Sequence, residues 1–166
     1  MKNIFKVGGQ VKILPLLVFS LVPLVGASLV SIVTKDSMNI YSQIDKPFFA
    51  PPPIVFIVVW TILYLLMGIS SYRIYMMKGQ GKDTGTALFF YSIQLLLNYL
   101  WSFIFFSFRL YGLAFIELII LFIFIIITFI KFIKIDKIAG YLLIPYIAWC
   151  TFALLLNFFI WDKNER

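Results

Sequence analysis

The sequence predicts an all-α membrane protein, a five-transmembrane-helix bundle forming a single domain over 1–166. Three observations carry that prediction. Hydrophobic residues make up 63% of the chain and charged residues 13%, against roughly 45–50% and about 25% in soluble domains. At this length no packing hides so much apolar surface from water, whereas a bilayer is itself an apolar solvent. The apolar residues also gather into five stretches, each near the roughly 20 residues that cross the hydrocarbon core as helix. Finally, the charges and turn-forming residues fall between those stretches.

Helix 1 is expected over 13–33, closed by Lys35 and Asp36. Its apolar run is longer than the roughly 7–15 residues of a cleaved signal and ends in no small-x-small site, so it is expected to be retained. A long loop, 34–53, follows and ends in Pro47 and the triplet Pro51, Pro52 and Pro53. Helix 2 covers 54–77 and helix 3 covers 85–107, separated by Lys78, Gly79, Gln80, Gly81, Lys82 and Asp83. Arg109 to Gly112 lead into helix 4, 112–131, and Lys134 to Lys137 into helix 5, 138–161. Links this short make helices 3, 4 and 5 antiparallel neighbours. Helix 4 is almost wholly Ile, Leu and Phe from Leu118 to Ile130, so it is expected to face lipid broadly. Pro23 and Pro145 fall inside helices and are expected to kink them.

The net charge is +7. Nine cations fall on one side of the membrane in this arrangement: Lys2, Lys6, Lys12, Arg73, Lys78, Lys82, Lys131, Lys134 and Lys137. Five fall on the other: Lys35, Lys46, Arg109, Lys163 and Arg166. Positive loops stay inside, so the amino terminus is expected in the cytoplasm, with the 34–53 loop and the carboxyl terminus outside. Short tails and an Ile/Lys-rich composition point to a bacterial cell membrane. The basic balance fits loops, not nucleic acid. The one cysteine, Cys150, makes no internal disulfide. The absence of histidine removes the usual haem ligand and neutral-pH base. No metal-ligand spacing, nucleophile–base pair or phosphate-cradling loop appears.

Polar and aromatic residues within the helices carry the functional signal. Asn98 and Asn157 are intramembrane amides, and an unpaired amide in hydrocarbon is costly. Each either joins helices or meets a ligand. Trp60 and Tyr64 are four apart, Asn98 and Trp101 three apart, and Tyr146, Trp149 and Ala153 continue the same spacing. Each set presents one helical face. Together these faces either line a pocket for a flat aromatic ligand or form an interface belt; Trp161 fits the belt. Glu117, an ionisable group inside helix 4, is either functional or, as the favoured reading has it, pairs with Arg109 or caps helix 4. Ala27 and Ser31 make one small-x-x-x-small face, a candidate contact for a homodimer.

The runs IYSQIDKPFFAPPP (40–53), WTILYLLMGISSY (60–72), QLLLNYLWSFIFF (94–106) and GYLLIPYIAWCTFALLLNFFIW (140–161) resemble the TspO/MBR family, the tryptophan-rich sensory proteins related to the translocator protein or peripheral benzodiazepine receptor. The resemblance implies five helices around a pocket capped by the 34–53 loop. It implies binding of porphyrins such as protoporphyrin IX and haem, and of isoquinoline and benzodiazepine ligands, with no covalent cofactor. The family's pocket positions match Tyr41, Trp60, Tyr64, Asn98, Trp101, Tyr146, Trp149 and Ala153. Phe48 and Phe49 stand where the family loop has Ser and Trp, and Ile40 replaces a common Trp. Phe158 and Asp162 depart from its sterol-recognition pattern. Arg109 replaces a common His and Glu117 a common Asp.

Burying roughly 400 Å² of porphyrin ring yields on the order of 10 kcal/mol. Association costs at least about 4 kcal/mol, leaving micromolar-range binding without a metal bond. Lys46 at the lid is a candidate partner for a propionate. Three functions fit: a tetrapyrrole receptor or sensor influencing porphyrin transport or regulation; a light- and oxygen-dependent porphyrin-degrading enzyme using Trp60 and Trp149; and a transporter of lipid, sterol or drug-like molecules.

Overall fold

A computed structural model describes residues 4–34 and 36–166; Lys2 and Lys35 of the charge assignment lie outside the described residues. The described chain is helical, in the order α1 (Ile13–Val33), α2 (Ser37–Gln43), α3 (Pro53–Met76), α4 (Thr84–Ser102), α5 (Tyr111–Ile135), α6 (Lys137–Leu142) and α7 (Ile144–Asn164). Among these residues five helical stretches are long and apolar enough to cross a membrane, α6 and α7 together making the fifth. The protein is thus an all-α integral membrane protein.

The helix ends are set by local chemistry. Pro53 opens α3, where its missing N–H costs nothing. Asp83 accepts from the Thr86 amide at 3.0 Å and starts α4. A π-helical turn, Phe103–Ser107, finishes α4; there the Phe108 amide donates to the Phe103 carbonyl at 3.0 Å. Asp136 ends α5 and caps α6, accepting from Ile138 at 2.8 Å and Ala139 at 3.0 Å.

α5 continues to Ile135, four residues beyond the expected end, because Lys131 and Lys134 sit at its rim instead of breaking it. Helix 5 of the sequence reading is interrupted at Leu143. Pro145 lies in the first turn of α7, where proline needs no hydrogen-bond acceptor, instead of kinking a continuous helix.

Pro23 does lie inside α1 and leaves the Phe19 carbonyl without its helical donor. That carbonyl faces Gly68 of α3. A Cβ there would lie 2.6 Å from it and 2.5 Å from the Ser20 Cα, so only glycine permits the α1–α3 approach.

The core lies between α3, α4, α5 and α7, around Met67, Leu121, Ile125, Phe132 and Tyr146. α5 stands at the centre, packed on α4, α6 and α7. The expectation that helix 4 faces lipid broadly holds for one side only, where Leu113, Ile116, Ile119, Ile120 and Ile123 are exposed; the opposite side is packed. Nine α5 residues are buried, whereas α1 buries only Pro23. Broad lipid exposure belongs to α1.

One end of the bundle is tied together by Arg73, near the end of α3. Its guanidinium forms an ion pair with Asp136 at 2.7 Å and donates to the carbonyls of Ile4 at 2.6 Å and Lys6 at 3.0 Å. The Lys12 amide donates to the Tyr72 hydroxyl at 3.0 Å. Burial alone would raise the Asp136 carboxyl. The Arg73 guanidinium and the Ala139 and Ile138 amides outweigh burial and hold it below the ordinary carboxylate range.

Candidate functional site

A cavity of about 410 Å³ lies between α1, α2, α3 and the end of α4, within the size range of small-molecule sites. Its walls follow from helical spacing. Trp60 and Tyr64, one turn apart on α3, stack with centroids 5.5 Å apart. Asn98, Trp101 and Ser102 contribute from α4, and Phe106 from the π-helical turn. That turn inserts an extra residue and changes which side chains α4 presents beyond Ser102. α1 adds Ala27, Ser28 and Ser31, and α2 adds Tyr41. The Ala27/Ser31 face proposed for dimer contact thus belongs to the cavity wall.

Five of the eight site residues named from the sequence meet at this cavity: Tyr41, Trp60, Tyr64, Asn98 and Trp101. The three from α7 do not line it. Tyr146 is buried one layer behind, its ring edge-on to Trp60 at 6.1 Å. Trp149 packs edge-on against Phe56 at 5.6 Å, and Phe56 is the residue that faces the cavity. The Trp149 indole nitrogen is buried without a hydrogen-bond partner among the described residues. Ala153 packs against the main core.

Hydrogen bonds fix the polar groups. The Tyr64 hydroxyl donates to Asn98 Oδ1. Asn98 Nδ2 donates to the Tyr146 hydroxyl at 3.0 Å, and that hydroxyl donates to Gln94 Oε1 at 2.9 Å. Asn98 is therefore both a cavity-wall residue and a link between α3, α4 and α7. Asn157 is a link alone. It accepts from Trp101 Nε1 at 3.0 Å and donates to the Tyr111 carbonyl at 2.9 Å. The bond from Asn157 fixes the Trp101 indole at the cavity wall.

The lid is ordered by α2. The Tyr41 hydroxyl donates to the Pro51 carbonyl at 3.1 Å. Burial pushes its pKa up to about 12, so it remains a neutral donor. The Lys46 ammonium donates to the carbonyls of Tyr41 at 2.6 Å, Ile44 at 2.9 Å and Ser42 at 3.2 Å. It closes the α2 C-terminus, where a cation meets the helix dipole. This occupation displaces the propionate role considered for it. The Asn164 side chain bonds the Asp45 backbone twice, at 3.1 and 2.9 Å, and so tethers the lid to the end of α7. Phe49 packs edge-on against Phe152 and Phe159.

Glu117 departs from both roles expected of it. Its two carboxyl oxygens are buried and have no hydrogen-bond partner among the described residues. The cap of α5 is instead supplied by Glu165, which accepts from the Tyr111 amide at 2.6 Å and the Gly112 amide at 2.9 Å. The link before α5 is tight, with Arg109 at φ 55°, and the N-cap residue Leu110 has no side-chain acceptor of its own. Trp161 stacks on Phe115 at 5.8 Å under the Arg166 guanidinium.

Phe56 and Gln94 were not foreseen. Phe56 lies one turn before Trp60, and Gln94 one turn before Asn98. The same spacing that selected Trp60, Tyr64 and Asn98 extends to both.

Membrane-crossing helices with an aromatic-walled cavity between them define a helix-bundle integral membrane protein. The chain matches the model of the TspO/MBR family over residues 19–162 and belongs to that family. It is similar to the translocator protein of Sus scrofa, 33% identical over 154 residues, covering 92% of this chain and 91% of the relative. The translocator protein of Ovis aries is 32% identical over 153 residues, covering 91% and 90%. The tryptophan-rich sensory protein of Cereibacter sphaeroides is 36% identical over 129 residues, covering 75% and 79%.

Proposed function

We propose that this chain is a membrane receptor or sensor that takes a porphyrin, or a flat aromatic ligand of similar shape, into the cavity and thereby influences tetrapyrrole transport or regulation. The observation that carries the reading is the cavity itself, walled by Trp60, Tyr64 and Trp101 beneath the Tyr41 lid. Indole and phenol faces suit a planar macrocycle, which gains from offset stacking and area burial and needs no axial ligand. Sensory and translocator relatives agree with a ligand-responsive membrane protein.

Quenching of tryptophan emission by protoporphyrin IX in mild detergent tests it. Trp60→Ala weakens binding, and Trp161→Ala, at a residue that does not line the cavity, leaves it unchanged. Equal losses from both would mean partition into the micelle and would remove the support for the cavity. Illumination of the bound complex in air distinguishes a receptor from a degrading enzyme: a receptor leaves the porphyrin absorbance spectrum unaltered apart from free-porphyrin bleaching, whereas an enzyme produces a new protein-dependent species.

The orientation belongs to the same proposal: amino end in the cytoplasm, lid outside. In a Cys150→Ser background, single cysteines at Ser42 and Gln80 label from opposite faces with an impermeant thiol reagent. Labelling at Gln80 from outside would reverse the assignment.

A further inference from the structure

Tyr64, Asn98, Tyr146 and Gln94 form one continuous chain of side-chain hydrogen bonds, and every member is buried. It begins at the cavity, which Tyr64 and Asn98 both line, and ends at Gln94, which does not. The chain has a direction: each hydrogen points from the cavity towards Gln94. The far end is incomplete, because Gln94 Nε2 is buried with no partner among the described residues.

Each link can run the other way without moving a backbone atom. A half-turn of the Gln94 amide lets Nε2 donate to the Tyr146 oxygen. The Tyr146 hydrogen then turns to Asn98 Oδ1, once the Asn98 amide has also made a half-turn. Asn98 Nδ2 donates to the Tyr64 oxygen. Amides and hydroxyls carry the donors and acceptors that both directions require. The first direction leaves both Gln94 N–H groups without an acceptor; the second leaves one N–H and the carbonyl. Native interiors tolerate under-satisfied carbonyls more readily than orphan N–H groups, so reversal incurs little penalty at that end. What changes is the cavity end. In the first direction the Tyr64 hydrogen is committed to Asn98; in the second it is free to meet a ligand.

We propose that this chain is a reversible reader of ligand chemistry, in which Gln94, remote from the cavity, is a specificity-determining positioning residue that sets whether Tyr64 offers a donor to a ligand bearing a neutral acceptor such as an ester or ketone carbonyl. The proposal rests on the cavity as the ligand site. A ligand differentially stabilises one of two states only through a contact made in that state. Here that contact is the Tyr64 O–H to the ligand carbonyl.

Gln94→Leu gives an outcome opposite to that of a purely structural role. Leucine supplies no acceptor, so the first direction strands the buried Tyr146 hydrogen. The second does not, since Tyr146 then donates to Asn98. The variant is therefore held with the Tyr64 hydrogen available. Mesoporphyrin IX dimethyl ester and etioporphyrin are matched probes: both are uncharged, and the ester carbonyls are the principal difference. The reading is the ratio of their dissociation constants in each variant relative to wild type, which cancels partition into detergent.

Gln94→Leu is expected to raise the preference for the ester by up to about fivefold, the worth of one net hydrogen bond. Tyr64→Phe, which removes the donor without disturbing Gln94, is expected to lower it. An unchanged or reduced ester preference in a folded Gln94→Leu protein overturns the proposal. If that variant does not fold, an unchanged preference in Tyr64→Phe overturns it. Trp60→Ala separates the two levels. If it weakens both porphyrins while the ratio ignores Gln94 and Tyr64, the cavity stands and the reader falls. If Trp60→Ala affects neither porphyrin, the cavity assignment falls and the reader with it.

Discussion

α1 and α5 are the two most uniformly apolar helices in the chain, and the structure uses them in opposite ways. α5 buries Tyr111, Ala114, Leu118, Leu121, Ile125, Thr128 and Phe132, positions that alternate by three and four, along with Gly112 and Glu117. That spacing is the seam of a helix packed on both neighbours. α1 buries only Pro23, at the level where Phe19 and Ser20 meet Gly68. In water the comparison would be unstable, since the hydrophobic effect would drive both inward. In a bilayer, lipid is as apolar as leucine, so hydropathy stops distinguishing inside from outside. Close packing and polar pairing decide instead. The loosely packed helix is also a cavity wall, so the cavity lies on the less tightly packed side of the molecule.

The largest effect is expected where both helices depend on one group. Arg73 holds Asp136 at the end of α5 and the carbonyls of Ile4 and Lys6 ahead of α1. Asp136→Ala leaves a buried guanidinium without its counterion and should cost about 3–5 kcal/mol, read by denaturation in mild detergent. The pair also gives a pH dependence. Because the folded carboxyl titrates below its ordinary value, its stabilisation is complete above about pH 5. It is lost as the pH falls through the usual Asp value of about 3.9 and on through the lower folded one. Asp136→Asn should flatten that acid limb. A limb of unchanged depth would show that other carboxylates produce it.

Next comes the direct comparison of the two helices. Leu121→Ala, in the α5 seam, should cost about 2–5 kcal/mol through the cavity it leaves. Leu29→Ala, on the exposed side of α1, should change stability by less than about 0.5 kcal/mol. Equal losses would mean that α1 is packed in the membrane against something other than lipid.

Gly68→Ala sharpens the comparison further. The added methyl meets α1 backbone, and overpacking of this kind costs about 1–3 kcal/mol. The strain should appear as faster hydrogen exchange in α1 with α5 unaffected. Uniform acceleration would show that α1 is not an independent unit.

The smallest expected effect concerns the ligand. Trp60→Ala should weaken porphyrin binding by roughly 1–2 kcal/mol through lost stacking and area. Trp149→Ala, acting only through Phe56, should have less effect. A larger loss from Trp149 would place the ligand deeper, towards α7.

Much of the site was legible because helical spacing is rigid. Trp60 and Tyr64 could be assigned to one face of α3 from their separation alone, and Asn98 and Trp101 to one face of α4. The α7 set lies behind the cavity wall for a physical reason: periodicity gives the face of a helix but not what that face meets. Tyr146 and Trp149 do point inward, yet Phe56 and the Asn98 amide stand between them and the cavity. Glu117 and Glu165 show the same limit. Glu117 lies inside α5 near its start, whereas Glu165 follows α7 and is remote from α5 in the chain. The acid that caps the helix comes from 54 residues away, as the Glu165 bond to Tyr111 shows.

The sequence by itself determined that this chain lives in a membrane, because the excess of apolar residues admits no other solvent, and that it crosses it five times, because charged and turn-forming residues separate five apolar runs of spanning length. It also determined which residues share a helical face, since 3.6 residues per turn leaves no freedom. Only the tertiary structure decided which apolar helix became the centre and which the lipid-facing wall, because in hydrocarbon that choice rests on contact geometry: a glycine against a backbone carbonyl, an arginine shared between two segments. It decided likewise that one amide faces the cavity while another, 59 positions later by their numbers, joins helices, since a hydrogen bond between distant segments exists only once the backbone has brought them together.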